Sequence, residues 1–447
     1  MNRKFVLLAA FSGALLSATG HAGELAATPP MGWNSYDAFG DSVTEAETLA
    51  NAIYMKEKLA AHGWQYVVVD FRWYDPQPTG DDSLLNKTRV GAALTADSYG
   101  RLSPATNRFP SAMDGQGFAS LAGKIHGMGL KFGIHIMRGI PRQAVKAQSP
   151  IEGGAFTAAA AGDTNDVCVW CPDMFGVKAG AAGQAWYDSI FRLYAAWGLD
   201  FVKVDDLSEP YHAAETEMIR RAIDKCGREI LLSTSPGPTN VKMAAHIKIN
   251  AQMWRISGDF WDKWEKLNHQ FDLLAKWQGV GGPGHWPDAD MIPLGHIAIR
   301  SKLGGKDHRS NFTHDEQVML MTLWSLAPSP LMLGMNLPDN DDWGLALFTN
   351  DEVLAVNQDK LGAPARRVSA ADGVEVWAKP LADGSRAVGV FNRGNESQST
   401  VIRWAELGCT GKQTIRDLWR KKDLGATDTA MLVLLPKHGA VMLRVHP

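Results

Sequence analysis

Short, continuous apolar runs recur between residues 28 and 336, each followed by a helix-like segment, and this alternation limits the chain to few architectures. The clearest runs are 66–71 (YVVVDF), 131–137 (KFGIHIM), 201–205 (FVKVD), 229–233 (EILLS) and 253–257 (MWRIS). Unbroken apolar character, rather than strict alternation, marks strands buried on both faces. Helical patterning lies between them at 43–62, 116–128, 180–198, 212–226, 260–277 and 313–327, with Thr44 and Glu47 spaced as a capping box. Weaker strands at 31–34, 285–290 and 331–335 bring the count to eight. No Gly-x-Gly-x-x-Gly turn follows the first strand, so a closed (β/α)8 barrel is expected rather than a dinucleotide-binding open sheet.

After Pro364 the pattern changes. Segments 374–378, 386–391, 399–402, 413–417 and 440–445 alternate and are joined by turn pairs such as Asp372-Gly373 and Asp383-Gly384. This predicts a small antiparallel β-sandwich domain. Residues 1–22 carry Arg3 and Lys4, then an apolar stretch, then small residues around His21, which is the layout of a secretory signal peptide. The expected organisation is a leader over 1–22, a catalytic barrel over 23–362 and the β-domain over 363–447. The mature chain is expected in a periplasm or outside the cell, with no membrane span. A net charge of −3 without a basic stripe argues against nucleic acid as a partner. Cys168 and Cys171 form a C-x-x-C without further ligands nearby, so a local disulfide is expected and no metal site; the pairing of Cys226 and Cys409 is left open.

Polar residues gather at the C-terminal ends of the expected strands, where barrel enzymes place their chemistry: Asp70, Arg72, His135, Lys203, Asp205, Asp206, Ser235, Arg255 and Asp259. A single Asp after a strand is more often a helix cap. Several carboxylates on consecutive strands, with a Lys and an Arg among them, are not explained that way. Lys203 and Asp205 are two apart and share a strand face, so the ammonium is expected to keep Asp205 ionised as a carboxylate nucleophile. Arg255 and Asp259 span a strand-to-loop transition in which Gly258 permits a sharp turn. Two carboxylates in different environments suit retaining glycoside hydrolysis.

The segments TPPMGWNSY (28–36), VVVDFRW (67–73), FGIHIMRG (132–139), WGLDFVKVDD (197–206), MWRISGDFWDKW (253–264) and GHWPDADM (284–291) resemble, in order and spacing, glycoside hydrolase family 27 of clan D, the α-galactosidase or melibiase-like family. The resemblance implies a retaining exo-α-galactosidase acting on terminal sugars, with no cofactor. It implies Asp205 as nucleophile, Asp259 as acid/base, and Asp70 as one of two carboxylates gripping the O4/O6 edge of galactose. It further implies sugar contacts from Lys203 and Arg255, and pocket positions for Trp33 and Asp290, with Trp73 keeping the family frame.

The chain departs from the family where the second carboxylate becomes Phe71 and the next residue Arg72. His135 replaces an aromatic residue, and with Arg72 is expected to donate to the same sugar edge. Asp206-Leu207 replaces a cysteine after the nucleophile, and Ser235 stands where the family reads the C2 substituent. The alternatives are therefore a β-L-arabinopyranosidase or an isomaltose-releasing α-glucanase on the same scaffold. A non-catalytic sugar-binding protein is weaker, because a binder has little need of both carboxylates.

Overall fold

A computed structural model describes residues 25–447; the leader expected at 1–22 lies outside the described residues. Eight parallel strands form the central sheet: β1 (Met31–Asn34), β2 (Tyr66–Val69), β3 (Lys131–Met137), β4 (Phe201–Asp205), β5 (Leu231–Thr234), β6 (Met253–Arg255), β7 (Trp286–Asp288) and β8 (Leu331–Leu333). Their order is β7-β6-β5-β4-β3-β2-β1-β8. The ring closes just beyond β7, where the Ile292 N–H donates to the Met332 carbonyl at 2.8 Å and Gly334 N–H to the Ile292 carbonyl at 3.1 Å. All eight expected strands are present, as a (β/α)8 barrel.

Helices follow the strands as expected, including Ala181–Trp197, Ala213–Lys225, Trp264–Lys276 and His314–Leu326. The Thr44–Glu47 capping box opens the helix Glu45–Tyr54. No helix among the described residues is long and apolar enough to cross a membrane.

The period-two alternation of the strands sorts side chains by destination. Val67, Val69, Val202, Val204 and Trp254 belong to the outer core beneath the helices. Tyr66, Val68, Phe201, Leu231, Met253 and Trp286 fill the barrel interior instead. Two neighbours at this level must be glycine. A Cβ on Gly32 would lie 2.6 Å from Tyr66 Cβ, and one on Gly133 would lie 2.7 Å from Phe201 Cβ. With the lower interior plugged by large apolar residues, the next inward positions along the strands lie at the C-terminal mouth. They are the polar ones.

Between β3 and β4 the chain makes an excursion that sequence periodicity did not announce. Strands Ile140–Pro141, Gly162–Val167 and Met174–Val177 form a small antiparallel sheet. The turn from Cys168 to Cys171 follows its middle segment. The disulfide expected there is not formed: both residues are buried free thiols, and the turn is closed instead by the Cys171 N–H, 3.4 Å from Cys168 Sγ. Cys226 and Cys409 are free as well.

The C-terminal strands run β9 (Arg366–Ala371), β10 (Val374–Pro380), β11 (Arg386–Asn392), β12 (Gln398–Arg403), β13 (Gln413–Asp417), β14 (Lys422–Thr427), β15 (Ala430–Leu435) and β16 (Ala440–His446). A six-stranded antiparallel sheet, β9-β10-β11-β16-β13-β14, faces the pair β12–β15 across a core of Val376, Val390, Ile402, Val433 and Leu443. The β9–β10 turn places both Asp372 and Gly373 at positive φ, as a tight hairpin demands.

Candidate active site

The inward positions at the strand ends surround a cavity of about 400 Å³ at the C-terminal mouth, within the usual size of a small-ligand site. Asp70, Lys203, Asp205, Arg255, Asp259 and Asp290 all line it.

Asp70 follows β2 and is fully tied down. Its Oδ2 accepts from Lys203 Nζ at 3.0 Å and Asn34 Nδ2 at 2.6 Å, and its Oδ1 from the Phe71 N–H at 2.9 Å. Burial would raise this carboxyl, but Lys203, then His135 and Asn34, more than offset it and hold Asp70 well below the usual carboxylate range. Lys203 therefore spends its direct contact on Asp70, not on Asp205 as its spacing suggested.

Asp205 ends β4. Its direct partners are His135 Nε2, 3.0 Å from Oδ2, and the Asp206 N–H, 2.9 Å from Oδ1. Burial again works upward, but the His135 hydrogen bond and charge, then Lys203 and the Asp206 N–H, bring the carboxyl below its ordinary value. An ionised carboxylate can only accept, so Nε2 of His135 carries the hydrogen. His135 is buried beneath the nucleophile candidate, its ring edge-on to Phe71 at 5.3 Å, with Nδ1 lacking a partner. Its expected place on the sugar edge is thus corrected to one behind Asp205.

Arg255 ends β6 and reaches Asp290 Oδ2 at 2.7 Å and Asp259 Oδ1 at 3.3 Å. Asp290 also accepts from the Phe260 N–H at 2.8 Å and the Met291 N–H at 2.8 Å. Burial, with Asp259 and Asp288 nearby, pushes Asp290 up even against the Arg255 ion pair. The Asp259 side chain is 55% exposed, whereas that of Asp205 is 17% exposed. One carboxyl can exchange protons with water; the other is sequestered and held as an anion.

Four expected contacts fall elsewhere. Trp33 is wholly buried with its Nε1 donating to the Met335 carbonyl at 2.6 Å. Gly32 and Asn34 take the inward positions of β1, so Trp33 points to the outer core; the inward aromatic is Tyr36, which does line the cavity. Trp73 packs against Phe118 and Trp197, its Nε1 on the His135 carbonyl at 2.6 Å. Arg72 turns away from the cavity to Asp173 at 2.9 Å and Asp75 at 3.2 Å. Ser235 is buried, and its neighbours Pro236 and Gly237 form the wall in its place.

Phe71, Trp170 and Trp261 complete the apolar wall. Phe71 meets Trp170 at 5.8 Å and Tyr36 at 6.4 Å between ring centroids. Continuing the period-two count past β1 would have found Tyr36. Trp170 sits in the C-x-x-C turn, which carries no periodic signal.

One group with metal-ligand chemistry occurs among the described residues: Asp166, His212 and Glu215. The Arg138 guanidinium already occupies it, 2.7 Å from both Asp166 Oδ1 and Glu215 Oε1 and 3.1 Å from Asp206 Oδ2. Its charge is satisfied by arginine.

Comparison with known proteins places these features among glycosidases. Residues 176–359 match the family model described as alpha galactosidase A, and 371–445 match the alpha galactosidase C-terminal beta sandwich domain. An α-galactosidase of Cyamopsis tetragonoloba is 28% identical over 429 residues, covering 95% of this chain and 87% of the relative. α-Galactosidase A of Cellvibrio japonicus is 28% identical, covering 95% and 93%. The crystal structure of a family 27 β-L-arabinopyranosidase from Geobacillus stearothermophilus, solved as a variant in complex with arabinose, is 48% identical. It covers 96% of this chain and 100% of that one, with a TM-score of 0.92.

Proposed function

The chain belongs to glycoside hydrolase family 27, and from that premise we propose that it is a retaining exo-glycosidase acting most readily on β-L-arabinopyranosides. The observation that carries the sugar assignment is Phe71. Its ring stands in the cavity wall directly after Asp70, where the sequence resemblance calls for a second carboxylate. β-L-Arabinopyranose has the ring-hydroxyl pattern of α-D-galactopyranose with hydrogen in place of the C5 hydroxymethyl group. Asp70 and Lys203 serve a galacto-configured ring in either case. A phenyl ring offers O6 no hydrogen bond, and a buried hydroxyl left unpaired costs about 1–3 kcal/mol. The pentopyranose avoids that cost. The 48% identity to a β-L-arabinopyranosidase supports the same reading.

In the proposed reaction, ionised Asp205 attacks the anomeric carbon while Asp259 delivers its proton to the glycosidic oxygen, releasing the aglycone alcohol. Water then attacks the glycosyl ester, giving its proton to the Asp259 carboxylate and restoring Asp205. His135 and the Asp206 N–H hold Asp205 in place and ionised; Arg255 orients Asp259. With the leader expected at 1–22, the reaction is read as taking place outside the cytoplasm.

α-D-Galactosides are the second reading, favoured by the α-galactosidase relatives that are 28% identical over 95% of the chain. The test is kcat/KM of the purified chain for nitrophenyl β-L-arabinopyranoside, α-D-galactoside, α-D-glucoside and α-N-acetylgalactosaminide, with isomaltose release from dextran in parallel. The arabinopyranoside should lead the galactoside by at least tenfold. A leading galactoside restores the α-galactosidase reading, isomaltose release favours the glucanase, and inactivity on all leaves a sugar-binding protein.

A further inference from the structure

Asp37 lines the same cavity as Asp70, Lys203 and Asp290, yet no step of the proposed reaction uses it. It sits on the short helix Tyr36–Phe39 just past β1 and is 1% exposed. Its Oδ2 is buried and has no hydrogen-bond partner in the protein. Such groups are rare in folded proteins and call for a reason. The carboxyl is also held in place from behind. Oδ2 packs against Gly334, just past β8, where a Cβ would overlap Oδ2 and Cγ, so Oδ1 is the oxygen turned to the cavity. The Ala298 N–H fixes the Asp37 carbonyl at 2.7 Å.

We propose that Asp37 is a further sugar-binding residue of this cavity, its side chain taking a ring hydroxyl of the bound glycoside. This rests on the glycosidase reading above. The partner that fits is a hydroxyl rather than a cation, because Lys203 is already paired with Asp70 and Arg255 with Asp290. Burial and the nearby Asp290 raise Asp37 well above the usual carboxylate range, Lys203 pulling only partly against them. A neutral carboxyl both donates and accepts, as a hydroxyl does. Such a residue selects for the hydroxyl it meets, since a sugar lacking it leaves the buried carboxyl unpaired.

The test pairs enzyme variants with substrate variants. kcat/KM is measured for wild type and Asp37→Ala on nitrophenyl β-L-arabinopyranoside and on its 2-, 3- and 4-deoxy analogues, with melting temperature as a fold control. Asp37→Ser is carried alongside and decides the matter if the alanine variant does not fold. Asp37→Ala should lose about tenfold or more on the parent glycoside. On one deoxy analogue that loss should nearly vanish, because the partner hydroxyl is already gone. Equal losses on the parent and all three analogues would mean a structural role and overturn the proposal, as would no loss on any. Wild-type inactivity on every glycoside removes the glycosidase reading and this proposal with it. Activity without coupling removes this proposal alone.

Discussion

His135 Nε2 lies 3.0 Å from Oδ2 of Asp205, behind the carboxylate and outside the lining of the cavity. The imidazole thereby contributes to keeping a buried carboxyl ionised, where burial alone would neutralise it. His135→Phe should fill the same volume and remove that support. Asp205 would then take up its proton at higher pH. The acid limb of kcat/KM should move to higher pH, with a smaller effect at neutral pH than on the acid side. An unchanged acid limb means that Lys203 and the Asp206 N–H suffice.

Removing the proposed nucleophile gives a sharper result. Asp205→Gly should lose several orders of magnitude in turnover while melting normally, because no other group is placed to form the glycosyl ester. Azide, entering the vacated space, should restore part of the activity and yield the glycosyl azide of inverted configuration. Wild-type rates in this variant would contradict the assignment.

Asp259→Ala should divide substrates by leaving group. Glycosides of ordinary alcohols should slow by about 10²–10⁴-fold, the usual worth of general acid catalysis. Pre-steady-state release of dinitrophenolate should be largely spared in its first turnover. Equal losses on both would place the acid elsewhere.

Phe71→Asp should return a carboxylate to the wall beside Asp70. The ratio of kcat/KM for nitrophenyl α-D-galactoside over β-L-arabinopyranoside should rise about 10–100-fold, as expected for a charged hydrogen bond to O6. Two buried carboxylates side by side should also lower the melting temperature near neutral pH, where both tend to ionise. A ratio unmoved by the substitution would show that Phe71 does not set the preference.

The sequence made the barrel legible because each of its eight strands is buried on both faces, and an unbroken apolar run such as YVVV marks that environment plainly. The C-terminal hairpins announced themselves through Asp-Gly turns. Within the site, residues on the inward parity of a strand were well placed: Lys203 and Asp205 flank Val204, which packs outward. Trp33 misled because the resemblance put it in the pocket, while its strand parity turns it to the outer core. The partners of Lys203 and His135 were misjudged for a different reason. They depend on strands far apart in sequence, and spacing along one strand cannot reveal which neighbour across the barrel a side chain meets. Trp170 and the Cys168–Cys171 turn sit on an irregular excursion whose course no local pattern sets.

The double displacement through Asp205 and Asp259 is tested most directly by the stereochemistry of the first product. Hydrolysis of nitrophenyl β-L-arabinopyranoside, followed by proton NMR before mutarotation, should show β-L-arabinopyranose first and the α anomer only later. First appearance of the α anomer would mean single displacement by water, and would contradict the roles given to both carboxylates.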